Sequence, residues 1–322
     1  MSQAQAKLTL IKTASLAAFI SLASGCATTM QNGVGQTVVQ PAINPTLTAG
    51  MPAIDRQGHI AYVEEQGSGT NKHSALYMIS PDGSNRQLLT SVNGYIYAPT
   101  WSMDGSKLAY SVQTTASYPF IYVYNVADKT VFKAVGVAGS NLSPSFSADG
   151  SKLLYSSTAG GNADIYELQL SDGSVKQLTT LPSTEVQPIY APDGRSFVYV
   201  SDKARAGKPQ LYRYSFATQQ AQRIPTAGYA ASPQLSLDGS KLGYLNGRQA
   251  AVMTLATGQV VNLAETGLDE PARLSPSGQY AVYPVRSGPA GGSLVIRSLN
   301  GSASYTISSG AGTTARAPVW GR

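Results

Sequence analysis

Apolar and polar residues alternate along this chain in short runs, among them "HIAYVEE" from His59, "KLAYSV" from Lys107, "FIYVYN" from Phe120 and "KLLYSS" from Lys152. A period of two over four to eight residues, bounded by Gly, Asp, Ser and Asn, predicts short β-strands. The runs also return in a fixed order. The unit "PTWSMDGSKLAY" at 99–110 comes back as "PSFSADGSKLLY" from 144, "PIYAPDGRSFVY" from 188 and "PQLSLDGSKLGY" from 233. Its opening position falls at Pro52, Pro99, Pro144, Pro188, Pro233, Ala272 and Pro318, at intervals of 39 to 47 residues. Each period holds four strands, which is the signature of a propeller blade.

Two positions within the repeat have a physical reading. The pairs Asp104-Gly105, Asp149-Gly150, Asp193-Gly194 and Asp238-Gly239 predict tight turns, because Gly accepts a positive φ and Asp binds its own backbone. In a fifth copy the pair is Ser277-Gly278, which keeps the turn without the charge. Tyr62, Tyr110, Tyr155, Tyr199, Tyr244 and Tyr283 share one place in the second strand. Their recurrence in every copy predicts packing between blades rather than a ligand-binding ladder.

The ends of the repeat complement each other. The first period opens on "PAID", a weak innermost strand, and the chain stops at "APVW" with nothing after that strand type. Pro318 to Trp320 is therefore expected to join the first blade. The fold expected is all-β: a six-bladed β-propeller of four-stranded blades, its ring closed by N- and C-terminal strands in one blade.

Ahead of the repeat, Lys7 and Lys12 precede the apolar run "ASLAAFISLA", which ends in Ala23-Ser24-Gly25-Cys26. The run is too short for a permanent membrane span and reads as a targeting signal. Its end resembles a bacterial lipobox, which implies cleavage before Cys26 and lipidation of that residue, the only Cys in the chain. Ala27 fits onward transfer to the outer membrane. The expected organisation is a signal peptide at 1–25, a lipidated Cys26 with a tether of Thr, Gln, Asn, Gly and Pro to residue 51, and a propeller at 52–322.

Composition narrows the chemistry. A hydrophobic content of 42%, a charged content of 12%, 32 Gly and 18 Pro suit a turn-rich sheet protein. The net charge of +6 is spread out, so no nucleic-acid footprint is expected. His59 and His73 are the only histidines, and no G-x-S-x-G elbow occurs, which argues against a serine hydrolase. One Cys and two separated His give no zinc set, and no phosphate-binding Gly loop appears. A lactonase-like propeller enzyme, or a protein binding a metal or small ligand in the channel, is the alternative. Its candidate acids are Glu185, Asp269 and Glu270, each placed before an innermost strand. The expectation is nonetheless no catalytic residue, no metal and no cofactor.

What remains is binding. The loops before the innermost strands share a face with those between second and third strands. They read "NGYIYA" (93–98), "SYPF" (117–120), "STEVQ" (183–187), "DKARAGKPQ" (202–210), "AGYAA" (227–231), "LDE" (268–270) and "TTARA" (313–317). Tyr mixed with Arg, Lys and a few acids is the composition enriched at protein interfaces. Tyr95, Tyr97, Tyr118, Glu185, Lys203, Arg205, Tyr229 and Arg316 are the expected partner contacts.

The whole repeat, with its last copy "LDEPARLSPSGQYAVYPV" at 268–285 and the closing "APVW", resembles the propeller of the TolB family of the Tol-Pal envelope system. The resemblance covers about 52 to 322, and the α/β domain that precedes the propeller in that family has no counterpart in 27–51. It implies a non-enzymatic, monomeric module of the periplasm that contributes to outer-membrane integrity or envelope assembly. The first partner it implies is a Pal-like peptidoglycan-associated lipoprotein.

Overall fold

The computed structural model describes residues 49–114, 117–268, 270–286, 291–309 and 312–322. Cys26, the expected signal peptide and the tether as far as residue 48 lie outside the described residues, as does Asp269.

Pro52 to Asp55 occupies the repeat position of an innermost strand, yet it opens a five-residue helix, Ala53–Gln57. Strands follow. β1 (His59–Gln66) and β2 (His73–Ile79) lead into β3 (Gln87–Trp101), fifteen residues long. The first part of β3 pairs with β2 and the second part with β4 (Lys107–Thr114), so one strand is outermost in one blade and innermost in the next. β5 (Phe120–Asn125) and β6 (Val131–Val135) complete that second unit.

Three separate four-stranded antiparallel sheets come next. The first is β7 (Asn141–Phe146), β8 (Lys152–Ser157), β9 (Asp164–Gln169) and β10 (Val175–Gln177). The second is β11 (Glu185–Tyr190), β12 (Ser196–Ser201), β13 (Gln210–Ser215) and β14 (Gln220–Arg223). The third is β15 (Ala230–Leu235), β16 (Lys241–Asn246), β17 (Gln249–Thr254) and β18 (Gln259–Glu265). The chain then forms β19 (Arg273–Leu274), β20 (Tyr280–Arg286), β21 (Gly292–Ser298) and β22 (Ser304–Ser308). Finally β23 (Thr314–Gly321) runs antiparallel to β1, with Ile60 opposite Trp320 and Glu65 opposite Thr314.

This is an all-β propeller, and its core lies between blades. Each apolar cluster spans two successive sheets: Val198 and Leu211 with Leu242 and Tyr244, for example, or Leu153 and Tyr155 with Ile121 and Val123. A second strand such as β12 is therefore buried along its whole length, whereas the outermost β10 is exposed throughout. All of the second-strand Tyr residues are buried, at 1–3% exposure. Four of them, Tyr62, Tyr110, Tyr155 and Tyr199, lie against a Tyr of the third strand with ring centroids 5.7–6.2 Å apart.

The Asp-Gly turns form as expected, with Gly105 at φ 72° and Gly239 at φ 71°. At Asp104, Asp149 and Asp238 the carboxylate takes the preceding Ser hydroxyl and the following backbone N–H, as where Ser102 Oγ and Ser106 N donate to Asp104 at 2.6 and 3.0 Å. Asp193, preceded by Ala191 instead of Ser, takes Arg195 N at 2.9 Å. The copy without an Asp is completed from elsewhere. Ser277 N and Oγ donate to Asp55 at 2.9 and 2.5 Å, across 222 residues of chain. Asp55 is fully buried there, and Met51 beside it joins the cluster of Tyr280, Tyr305 and Trp320.

Candidate docking face

The innermost strands carry a device that the sequence displays but does not explain. Ala98, Ser143, Gln187, Ser232 and Ala317 each precede a Pro, and each has φ between 45° and 54°. The strand ladder slips at these same places, for instance between Tyr97 and Thr100 and between Leu142 and Ser145. A left-handed residue followed by Pro makes a bulge, and Pro has no N–H for the ladder to lose. In the last blade the order is changed to Pro271-Ala272. The ring of Pro271 forbids a positive φ, and β19 there is only two residues long.

These bulged strands wall a central cavity of about 210 Å³, lined by Pro99, Pro144, Pro188, Pro233 and Pro318 among others. Side chains tie one inner strand to the next. Tyr190 N donates to Ser145 Oγ (3.0 Å), Ser232 N to Gln187 Oε1 (2.8 Å) and Leu274 N to Gln234 Oε1 (2.6 Å).

At the cavity mouth charges are already paired. Arg316 Nε lies 2.7 Å from Glu270 Oε1 and its Nη1 3.4 Å from Glu65 Oε2, which also takes Lys72 Nζ at 2.7 Å. Ala317 N donates to Glu270 at 2.5 Å. The neighbouring carboxylates of Glu270 and Glu65 raise the Arg316 pKa further above its usual value, despite burial. Glu270 is thus the counter-ion that fastens β23, not a free acid. Among the described residues no group of three His, Cys, Asp or Glu is placed to hold a metal.

The other expected contacts differ sharply in what they offer. Tyr118 is 56% exposed, and Lys203 and Arg205 are exposed on the loop after β12. That loop is shaped by Asp202, whose carboxylate accepts Thr184 N (3.0 Å) and Gly207 N (2.9 Å). The Lys203 ammonium sits 4.0 Å from the centroid of the Tyr212 ring. Tyr95 and Tyr97 point the same way from β3, stacked at 5.6 Å and 7°, and both are half-buried. Tyr97 donates to Gln113 Oε1 (3.2 Å), and burial raises its pKa. Tyr229 is half-buried against the cluster that holds Ala230 and Leu242. Two residues need correcting. Glu185 has 0% exposure, so it has no surface to give a partner. Arg316 is engaged by two carboxylates and works within the ring. The signal for Glu185 lay in its repeat position two residues before the left-handed one, where Asn141, Ala230 and Ala315 are buried as well.

Comparisons with known proteins agree with this architecture. A model of the TolB β-propeller domain matches residues 53–322. The Tol-Pal system protein TolB of Bordetella pertussis is 38% identical over 155 residues, 48% of this chain and 34% of that protein. TolB of Francisella tularensis subsp. tularensis is 28% identical over 238 residues, covering 70% and 54%. The crystal structure of TolB from Acinetobacter baumannii superposes with a TM-score of 0.74 at 33% identity, over 83% of this chain and 67% of that one. The chain thus spans about a third to a half of the curated relatives' length. With its repeat, its blades and the matched region all coinciding, the chain belongs to the TolB β-propeller family.

Proposed function

We propose that this chain is a non-enzymatic protein-interaction module of the bacterial envelope. In this reading it is a six-bladed propeller whose ring is closed by β23 on β1. A lipidated Cys26 holds it at the outer membrane, facing the periplasm, and it docks a Pal-like lipoprotein on the long-loop face. The observation that carries the reading is the match to Tol-Pal system proteins across the propeller. Exposed Tyr118, Lys203 and Arg205 supply the aromatic and cationic contacts such a face needs, with Tyr95, Tyr97 and Tyr229 forming its floor.

The test is direct binding of the purified protein to a purified Pal-like periplasmic domain, by calorimetry or interferometry. Tyr118→Ala should weaken binding by roughly tenfold to thirtyfold, as truncation of an aromatic anchor commonly does. The pair Lys203→Glu with Arg205→Glu should mainly slow association and change its salt dependence. Full affinity in all of these variants, with unchanged melting, would move the interface to another face.

A further inference from the structure

On the long-loop face, the first residue of an inner strand meets the start of the third strand in the preceding blade. Asn141 N donates to Pro119 O (3.1 Å), Glu185 N to Ala163 O (2.8 Å) and Ala230 N to Pro209 O (3.1 Å). At two of these equivalent junctions an amide side chain closes the gap. Asn141 Nδ2 reaches the carbonyls of Pro119, Val137 and Gly139, and Gln210 Nε2 those of Pro209 and Gly228.

Between the blades of β7–β10 and β11–β14 the residues at these positions are two acids, Asp164 and Glu185, at 4% and 0% exposure. Glu185 Oε1 accepts Ser183 Oγ (2.5 Å) and Ser201 Oγ (2.8 Å). Asp164 accepts Thr179 Oγ1 and Gln177 Nε2, both at 3.2 Å. Glu185 Oε2 is buried with no hydrogen-bond partner, and the Asp164 carboxyl stands at the matching place across the same junction, where Glu185 N donates to Ala163 O. Two ionised carboxylates buried side by side repel one another, and the unpartnered oxygen of Glu185 has no donor to offset its charge, so burial favours keeping one proton in the pair.

We propose that Asp164 and Glu185 share a single proton, and that its loss resets the cationic loop Asp202–Lys208, making the docking face pH-sensitive. This rests on the docking reading for its function but not for its chemistry. The loop is fastened to the pair: Ser201 Oγ donates to Glu185 and accepts Lys203 N at 3.1 Å, while Thr184 N holds Asp202. The charged and titratable groups around the pair are Lys203 and Asp202 from the loop, Tyr199 from β12, Tyr212 from β13, and Tyr166 from β9, whose hydroxyl burial and Asp164 both raise. Tyr199 and Tyr212 stay neutral, since burial raises both hydroxyls. Lys203 is the nearby cation, and it now rests on the Tyr212 ring rather than on a carboxylate. A second negative charge in the pair would repel the first and draw that ammonium inward.

Burial pushes Glu185 up to about 7 from its ordinary 4.5 and raises Asp164 as well. A carboxyl raised in the folded state contributes stability that is full below about 4.5 and is lost as pH rises through about 7.

The experiment follows the purified protein, Glu185→Gln and Asp164→Asn between pH 5 and pH 8. It reads melting temperature together with hydrogen exchange of the 202–207 amides, corrected for intrinsic rates. The wild type should melt several degrees lower at pH 8 and lose protection in the loop. Glu185→Gln, which installs the amide found at the other junctions, should remove most of both changes, and Asp164→Asn should do the same if Glu185→Gln folds poorly. An unchanged pH response in these variants overturns the shared proton. Restoration of wild-type protection at pH 8 by millimolar calcium also overturns it, in favour of a cation between the carboxylates. Neither readout uses a partner, so failure of the docking proposal leaves this test intact.

Discussion

Replacing Asp55 tests whether the short N-terminal helix is part of the propeller's structure or merely rests on it. Asp55→Ala deletes two hydrogen bonds to a fully buried carboxylate, from Ser277 N and Ser277 Oγ. Bonds to a charged acceptor contribute about 1.5–3 kcal/mol each, offset by relief from burying the carboxylate, so a net loss of about 2–3 kcal/mol is expected. At about 2–4 °C per kcal/mol for a large domain, the melting temperature should fall by roughly 5–10 °C. The discriminating variant is Ser277→Asp, which gives this turn the same residue as Asp104, Asp149 and Asp238 elsewhere. With Asp55 present, the new carboxylate would face another one and destabilise by about 1–3 kcal/mol. In the Asp55→Ala background it should instead restore about 0.5–1 kcal/mol by binding its own backbone. A double-mutant cycle by urea unfolding measures the reversal. If Ser277→Asp has the same sign in both backgrounds, Asp55 does not complete this turn.

Arg316→Ala should cost about 3–5 kcal/mol by leaving Glu270 buried without its cation, while Arg316→Lys should recover part of that loss; equal stability of Arg316→Ala and wild type in urea would refute the clamp. The turn carboxyls of Asp104, Asp149 and Asp238 are lowered to about 2, chiefly by Ser102, Ser147 and Ser236 respectively. Their stabilisation is present above about 4 and is lost as pH falls through 2, so changing all three to Asn should flatten the acid limb of a stability–pH curve. Retention of the full limb by that triple variant would assign it to other groups.

The repeat made much of this fold legible. The Asp-Gly turns and the buried Tyr position follow from short-range chemistry, because a turn or a strand face is decided within a few residues. The strand type of "APVW" likewise announced a partner for β1. Long-range side-chain pairing was hidden. The loss of an Asp at Ser277 was visible, but nothing local could show that Asp55 supplies one from 222 residues away. Glu185 looked like a loop charge, and only the packing of the preceding blade against it makes it a buried acid. "NGYIYA" read as a loop ahead of an innermost strand, yet it lies within one continuous β3, whose edge changes partner midway and so keeps the polar residues there paired.

The buried Met51 and Asp55 also decide how the molecule would carry mechanical load. Met51 is 2% exposed, its Sδ packed 3.5 Å from the Tyr305 hydroxyl that donates to Pro81 O at 2.6 Å, while Asp55 grips Ser277. A pull on the chain ahead of Met51 therefore reaches the β19–β22 blade before it reaches β1. Those contacts have to give way before the load falls on the pairing of β1 with β23, so the closing strands are shielded by the segment just ahead of them.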